Sequence, residues 1–123
     1  MLHKKFILDS FKLLEDSNHI EFSFQLSDAI TFNLNNKEIG VGKKAVKDEL
    51  TKCYSPLTKY DHTFLNVWEV DNTYTITADL GIKEHNNEQV DISWIAVIKI
   101  NDNKISKMEI FADFFNIEQK IEA

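Results

Sequence analysis

Four segments of roughly strand length, rich in apolar residues and separated by polar turns, lie between Tyr60 and Ile117. The segments run from about His62 to Val70, Tyr74 to His85, Val90 to Ile100 and Ile105 to Phe115. The turns between them are Asp71-Asn72, Asn86-Asn87 and Asn101-Asp102-Asn103. Asn and Asp tolerate positive φ and hydrogen-bond their own backbone, so these breaks are typical of hairpin turns. The pattern predicts an antiparallel meander of four strands.

Two segments before the meander have helical spacing instead. From Lys4 to Asp16, the apolar residues Ile7, Phe11 and Leu14 fall on one helical face. From Lys43 to Tyr54 a second apolar stripe is formed by Val46, Leu50, Cys53 and Tyr54. Pro56 follows that stripe and ends the helix, because proline cannot continue the backbone hydrogen bonds. We predict two amphipathic helices.

The region between these helices is less uniform. Ile20, Phe22, Phe24 and Leu26 alternate as in a strand, although Ile20 and Phe24 also fit one helical face. Ala29 to Leu34 reads as a short strand, with Thr31 and Asn33 on the side opposite Ile30, Phe32 and Leu34. Gly40 and Gly42 flank Val41, and we expect a loop there.

The predicted meander is apolar on both of its faces. Ile95 and Val97 alternate with Trp94, Ala96 and Ile98 in the third strand. In an antiparallel sheet with one solvent-exposed face, apolar and polar residues should alternate along each strand. Both faces are therefore expected to be packed against other parts of the protein or a partner. Two helices cover one face, which makes the other a candidate for self-association through Leu65, Val67, Ile95, Val97 and Phe111.

Composition narrows the classes of function. The 123 residues predict a single domain spanning 1–123, and a net charge of −6 with scattered basic residues argues against a nucleic-acid partner. No apolar run is long enough for a membrane span, which together with the lack of a signal peptide at the start predicts a cytoplasmic protein without a membrane partner. The single Cys and four scattered His residues form no spaced ligand motif, so neither a metal nor a cofactor is expected.

The order of these segments resembles the SnoaL-like branch of the nuclear transport factor 2-like (cystatin-like fold) superfamily. The resemblance covers essentially the whole chain and is carried by four stretches: Asp28-Ala29-Ile30-Thr31-Phe32, Gly42-Lys43-Lys44-Ala45-Val46, His62-Thr63-Phe64-Leu65-Asn66, and Asn103-Lys104-Ile105 through Ile110-Phe111-Ala112-Asp113. It implies an α+β fold, in which a strongly curved antiparallel sheet wraps around the N-terminal helices as a cone with an apolar pocket. It also implies a short helix from Asn18 to Leu26 and a homodimer formed through the outer sheet surface.

The acids used by well-known relatives are absent from the matching positions. The resemblance places a general base at Asn33, an acidic donor at Ala96 and a last-strand carboxylate at Ile110. An amide and two apolar side chains cannot exchange a proton at neutral pH, so the well-known reactions of the family are not expected.

His62 is the candidate catalytic residue that remains, because the unperturbed pKa of imidazole lies near neutrality. Asn66 lies four residues further along the strand and is predicted to share its face. The alternative is a structural role, in which His62 lies at a strand end and is hydrogen-bonded to a loop. Asp113 is the second catalytic candidate. It is predicted to be either a buried carboxylate, whose pKa burial would raise, or a residue of the outer face. Tyr74, Trp94, Asn33 and Ile110 are predicted to line the ligand site with Asn66.

The sequence therefore predicts a small-molecule-binding domain with an apolar pocket, whose partner is a small apolar organic ligand. Whether it catalyses an isomerase, cyclase or hydrolase type of reaction stays open at this point. The alternative is a non-catalytic homodimeric interaction module, whose pocket is filled by some of its nine Phe side chains.

Overall fold

The computed structural model describes residues 3–16, 18–54, 57–84 and 89–112. The helices and strands within these ranges are, in chain order, α1 (Lys4–Glu15), α2 (His19–Ser23), β1 (Leu26–Leu34), β2 (Lys37–Val41), α3 (Lys43–Tyr54), β3 (Leu57–Val70), β4 (Thr73–Glu84), β5 (Gln89–Asn101) and β6 (Lys104–Ala112). The six strands form one sheet in the order β2-β1-β6-β5-β4-β3. The sheet is curved and does not close, and with the helices it confirms the predicted α+β class.

Strands β3 to β6 form the predicted meander. They pair antiparallel with their chain neighbours, as β1 does with β2. The exception to the predicted antiparallel sheet is β1, which runs parallel to β6. This pairing attaches the β1-β2 hairpin to the β6 side of the meander and leaves β2 and β3 at the two edges.

Asn and Asp residues with positive φ form the tight turns. Asp71 and Asn72 have φ of 49° and 63°, and Asp102 and Asn103 have φ of 50° and 60°. Positive φ at both central residues is the requirement of a type I′ hairpin turn, which confirms these two predictions. The predicted turn at Asn86-Asn87, Pro56 and the predicted strand end at Phe115 lie outside the described residues.

The expected loop around Val41 is wrong. Asn35 and Asn36 have φ of 50° and 67° and form a third tight turn, so the chain returns as strand β2. Gly40 lies within this strand, where an added Cβ would stand 3.3 Å from the backbone nitrogen of Val46. The glycine therefore serves close packing of β2 against α3.

The helices follow their predicted ranges. α1 ends at Glu15, one residue before the predicted end, and α3 has the predicted bounds. The ambiguous segment forms helix α2, as the family resemblance implied, and its strand-like alternation is misleading. The Asn18 side chain accepts a hydrogen bond of 3.3 Å from the backbone N–H of Glu21, a helix N-cap that satisfies an otherwise free donor.

The core lies between the helices and one face of the sheet, here called the inner face. Ile7, Phe11 and Leu14 of α1 are at most 1% exposed and pack there. The inner face supplies buried side chains from several strands, including Ile30, Phe32, Ile76, Ala78, Leu80, Trp94, Ala96, Ile98, Met108 and Ile110. In the described part of the chain, no helix has the length and apolar character needed to cross a membrane.

Candidate functional site

A β-bulge in the edge strand β3 decides which of its side chains reach the core. His62 lies opposite Leu80 and Phe64 opposite Ala78, but Asn66 lies opposite Thr77 because the register shifts between Phe64 and Asn66. Leu65 is the extra residue. Since strand side chains alternate between faces, one extra residue reverses every position that follows. His62 and Phe64 consequently point to the inner face, and Asn66 points to the outer face.

The His62 imidazole is enclosed by three aromatic rings, here called the aromatic cage: Phe11 from α1, Phe64 from β3 and Trp94 from β5. Phe64 stacks on the imidazole with ring centroids 5.6 Å apart and planes 8° from parallel. The Phe11 and Trp94 centroids lie 5.4 Å and 5.0 Å from the imidazole. The His62 side chain is 0% exposed. A titratable group has thus been removed from water, and three aromatic rings are packed against it.

Glu15, the last residue of α1, holds the imidazole in place. Its Oε1 accepts hydrogen bonds from the backbone N–H of His62 at 2.6 Å and from ring Nδ1 at 3.0 Å. One carboxylate oxygen therefore fixes both the backbone and the ring of the same residue. Because a carboxylate accepts, Nδ1 carries the hydrogen and Nε2 keeps its lone pair.

The other ring nitrogen, Nε2, is buried and has no hydrogen-bond partner among the described residues. The pKa of His62 is lowered from the ordinary value of 6.5, chiefly because burial disfavours the charged ring. The hydrogen bond to Glu15 and the charges of Glu15 and Asp61 act in the opposite direction. The net result is a neutral imidazole at neutral pH, and its free nitrogen can accept a hydrogen bond or a proton.

Two predicted site residues lie on the inner face. Trp94 is 1% exposed, opposite Ala78 and Ala112, and meets the imidazole edge-on. Ile110 is 3% exposed and lies opposite Ala96. Ala96 and Ile110, the positions at which the resemblance implied acids, are therefore neighbours across β5 and β6, and they form an apolar wall rather than a proton-transfer pair.

Asn66 and Asn33 lie on the opposite face of the sheet. The amide of Asn66 is exposed there and donates to Thr77 Oγ1 at 3.3 Å. Asn33 pairs with Glu109, between the inward positions of Phe32 and Leu34. The predicted common face of His62 and Asn66 is wrong because of the bulge at Leu65, and neither asparagine side chain faces the aromatic cage.

Tyr74 faces inward but lies at the far end of β4. It pairs with Ile98, whereas the partner of His62 on the same strand is Leu80, six residues away and so about 20 Å along the strand. The Tyr74 hydroxyl accepts a hydrogen bond of 2.9 Å from the backbone N–H of His3. Its position below the start of α1 makes it part of the core, and its role in a ligand site stays a prediction.

Asp113 lies outside the described residues, so its catalytic role stays a prediction. Glu15 was not identified from the sequence. Its signal is the spacing of Ile7, Phe11 and Glu15, which places a carboxylate on the apolar stripe at the end of a helix. No group of three His, Cys, Asp or Glu side chains in the described ranges is placed to hold a metal ion.

A separate surface groove of about 590 Å³ lies where the start of β1 meets α3 and the β5-β6 turn. Its wall carries the ion pair between Lys43 Nζ and Asp28 Oδ1, 3.8 Å apart, together with Lys104 and Asp102. These charged side chains do not suit the apolar ligand that the sequence predicts.

No family model and no curated protein sequence matches the chain. Solved structures do. A candidate SnoaL-like polyketide cyclase of Shewanella putrefaciens superposes with a TM-score of 0.84 at 10% identity, over 99% of this chain and 97% of that one. An NTF2-like protein of unknown function from Burkholderia pseudomallei gives 0.83 at 9% identity, over 97% and 96% of the two chains.

The chain has the SnoaL-like, NTF2-like fold. A candidate isomerase of Rhodopseudomonas palustris has the same fold, with a TM-score of 0.78 at 13% identity over 96% of this chain and 94% of that one. Identities this low establish the fold alone, since NTF2-like folds, like other common folds, host unrelated functions.

Proposed function

We propose that this SnoaL-like domain binds a small, largely apolar organic ligand at the aromatic cage around His62. The observation that carries the proposal is the His62 Nε2 atom, which is buried without a hydrogen-bond partner while Nδ1 is held by Glu15. A buried polar atom without a partner costs about 1–3 kcal/mol. A ligand that bonded Nε2 would recover that energy, and its apolar part would pack against the aromatic rings.

His62 is the proposed base of an isomerase, cyclase or hydrolase type of reaction at this site. Its neutral imidazole can take a proton at Nε2 from the ligand and later return it, while the Glu15 carboxylate stabilises the charged ring in between. Ala96 and Ile110 supply no competing acid. Asp113, the second candidate, stays a prediction.

A second function is favoured by how closely the cage rings contact one another. Phe11 meets Trp94 at 5.0 Å and Phe64 at 6.1 Å between ring centroids, so these side chains pack together as a core would. A non-catalytic interaction module, with its pocket filled by its own aromatic rings, would show the same contacts. Both functions are compatible with a cytoplasmic homodimer.

The proposed dimer uses the outer face of the sheet. Trp68 and Ile95 are 53% and 42% exposed, and Val97 and Phe111 lie on the same face beside them. Val67, predicted to belong to this patch, faces inward because of the bulge, and Trp68 takes its place. An exposed apolar patch of this kind is typical of an association surface.

Binding can be tested by titrating the ¹⁵N-labelled chain with phenol while following the ring nitrogens of His62 and the indole N–H of Trp94. We expect saturable shifts at both residues. The indole N–H of Trp68, exposed on the opposite face, should stay unchanged and serves as the internal control. Native mass spectrometry of the purified chain would identify a retained ligand. Unchanged His62 and Trp94 resonances, with only the mass of the bare chain, would favour the interaction module.

A further inference from the structure

The pairing of Glu15 with His62 also specifies what kind of ligand the site accepts. Oε1 receives two donors from one residue, the backbone N–H at 2.6 Å and ring Nδ1 at 3.0 Å. An atom in this position must be an acceptor for both. The ring is therefore held in the tautomer with hydrogen on Nδ1, and the tautomer with hydrogen on Nε2 would leave Glu15 facing a second acceptor.

That tautomer determines whether the cage offers a ligand a hydrogen-bond donor or an acceptor. Phe11, Phe64 and Trp94 surround the imidazole, and their ring centroids lie 5.0 to 5.6 Å from it. The polar atom that the imidazole presents to them is Nε2, which is buried and accepts. A ligand group that donates a hydrogen bond would match it, whereas a group that only accepts would place two lone pairs against each other and leave Nε2 without a partner.

We infer that Glu15 is a positioning residue that fixes the His62 tautomer, so that the site selects ring-shaped ligands carrying a hydrogen-bond donor, such as a phenol or an enol. This rests on the proposed function, because it assumes that the cage admits a ligand. It adds a specificity that the fold does not provide. The lowered pKa of His62 agrees with it, since the ring then stays neutral and Nε2 stays unprotonated at neutral pH.

The tautomer can be measured without a ligand. Long-range ¹H–¹⁵N correlation spectra of the full-length chain distinguish protonated from bare ring nitrogens, and the signals that disappear in His62→Gln belong to His62. We expect hydrogen on Nδ1 and a bare Nε2. Glu15→Gln should keep this tautomer, because an amide oxygen can accept the same two bonds. Glu15→Leu should populate both tautomers. Hydrogen on Nε2 in the unmodified chain would overturn the inference.

The ligand preference is tested with phenol and anisole, which share a ring and differ in the donor. Phenol should shift the His62 Nε2 signal, and the ratio of the phenol to the anisole affinity should fall at least about twofold in Glu15→Leu, because the tautomer with a bare Nε2 is then only part of the population. Glu15→Gln should preserve the ratio, and it covers the case in which Glu15→Leu does not fold. An equal ratio in all variants would overturn the inference and leave the proposed function intact. No response to either probe would overturn both.

Discussion

Phe11 of α1 meets Trp94 of β5 edge to face, with ring centroids 5.0 Å apart and planes at 88°. This contact joins the first helix to the centre of the sheet, and Phe11 also touches the imidazole of His62. Phe11 is 1% exposed. Replacing it with Ala would leave a cavity under α1, so Phe11→Ala should lower the free energy of unfolding by about 3–5 kcal/mol, measured by chemical denaturation.

Lys12 offers a control for that measurement. It is the next residue of the same helix and is exposed, so Lys12→Ala should change the free energy of unfolding by less than about 0.5 kcal/mol. A loss below about 1 kcal/mol in Phe11→Ala would mean that α1 is not held to the sheet through this ring.

Burial of His62 predicts a pH dependence of stability. In the unfolded chain the imidazole gains its proton near pH 6.5, and in the folded chain it does so at lower pH because its pKa is lowered. Between those values the unfolded state binds more protons. The contribution of His62 is therefore complete above about pH 6.5 and is lost as the pH falls towards the folded pKa, by at most about 1.4 kcal/mol per pH unit.

Denaturant unfolding at a series of pH values below neutrality, for the unmodified chain and for His62→Gln, measures that contribution. His19 adds a slope of the same sign, because its pKa is also lowered by burial and by the charge of Lys47. The test is therefore the difference between the two curves. Parallel curves would show that the imidazole does not change its proton affinity on folding.

The meander can be predicted because residues adjacent in the sequence specify its turns and strands. Asp71-Asn72 and Asp102-Asn103 specify tight turns by residue type alone, and the β-branched segments between them have few alternatives. The parallel pairing of β1 with β6 joins segments about 75 residues apart. The periodicity of apolar residues within a segment does not determine which strands become its neighbours. The β2 strand is itself signalled locally, because Asn35-Asn36 is a turn pair of the same residue type with positive φ.

The site was predictable in part. His62 and Trp94 are recognisable as an isolated imidazole and a buried aromatic in an apolar strand, and both reach the cage. The bulge at Leu65 could not be recognised, because an extra residue is defined by the opposing strand and not by its own type. That one residue removes Asn66 from the site. Glu15 looks like an ordinary charged helix residue until β3 is placed beside it.

Asn35 predicts a second stability effect, at the end of β6. Its amide donates to the carbonyl of Ala112 at 2.9 Å, and its Oδ1 accepts from the Ala112 N–H at 3.0 Å, so the side chain pairs with β6 as a strand would. Glycine keeps the positive φ of this position but loses both bonds. Asn35→Gly should therefore cost about 1–3 kcal/mol and disturb Trp94, which lies opposite Ala112.

Asn36→Gly is the matched control, because Asn36 occupies the next turn position with φ of 67°. It should change stability by less than about 0.5 kcal/mol and leave the Trp94 indole resonance in place. Equal losses in both variants would assign the effect to the turn backbone rather than to the Asn35 amide.

The outer face gives the last prediction, which concerns assembly. Ile95 lies opposite Thr77 and Phe111, near Trp68 and Val97, and is 42% exposed. If two copies associate through this face, Ile95→Glu would bury an unpaired charge, and the dimer Kd should rise at least tenfold, since such burial costs several kcal/mol. Sedimentation velocity at micromolar concentration measures the change.

Ala45→Glu adds the same charge on exposed α3 and should leave the dimer intact. If the unmodified chain is monomeric, this interface is ruled out, and Trp68 and Ile95 are apolar side chains exposed to solvent in the monomer.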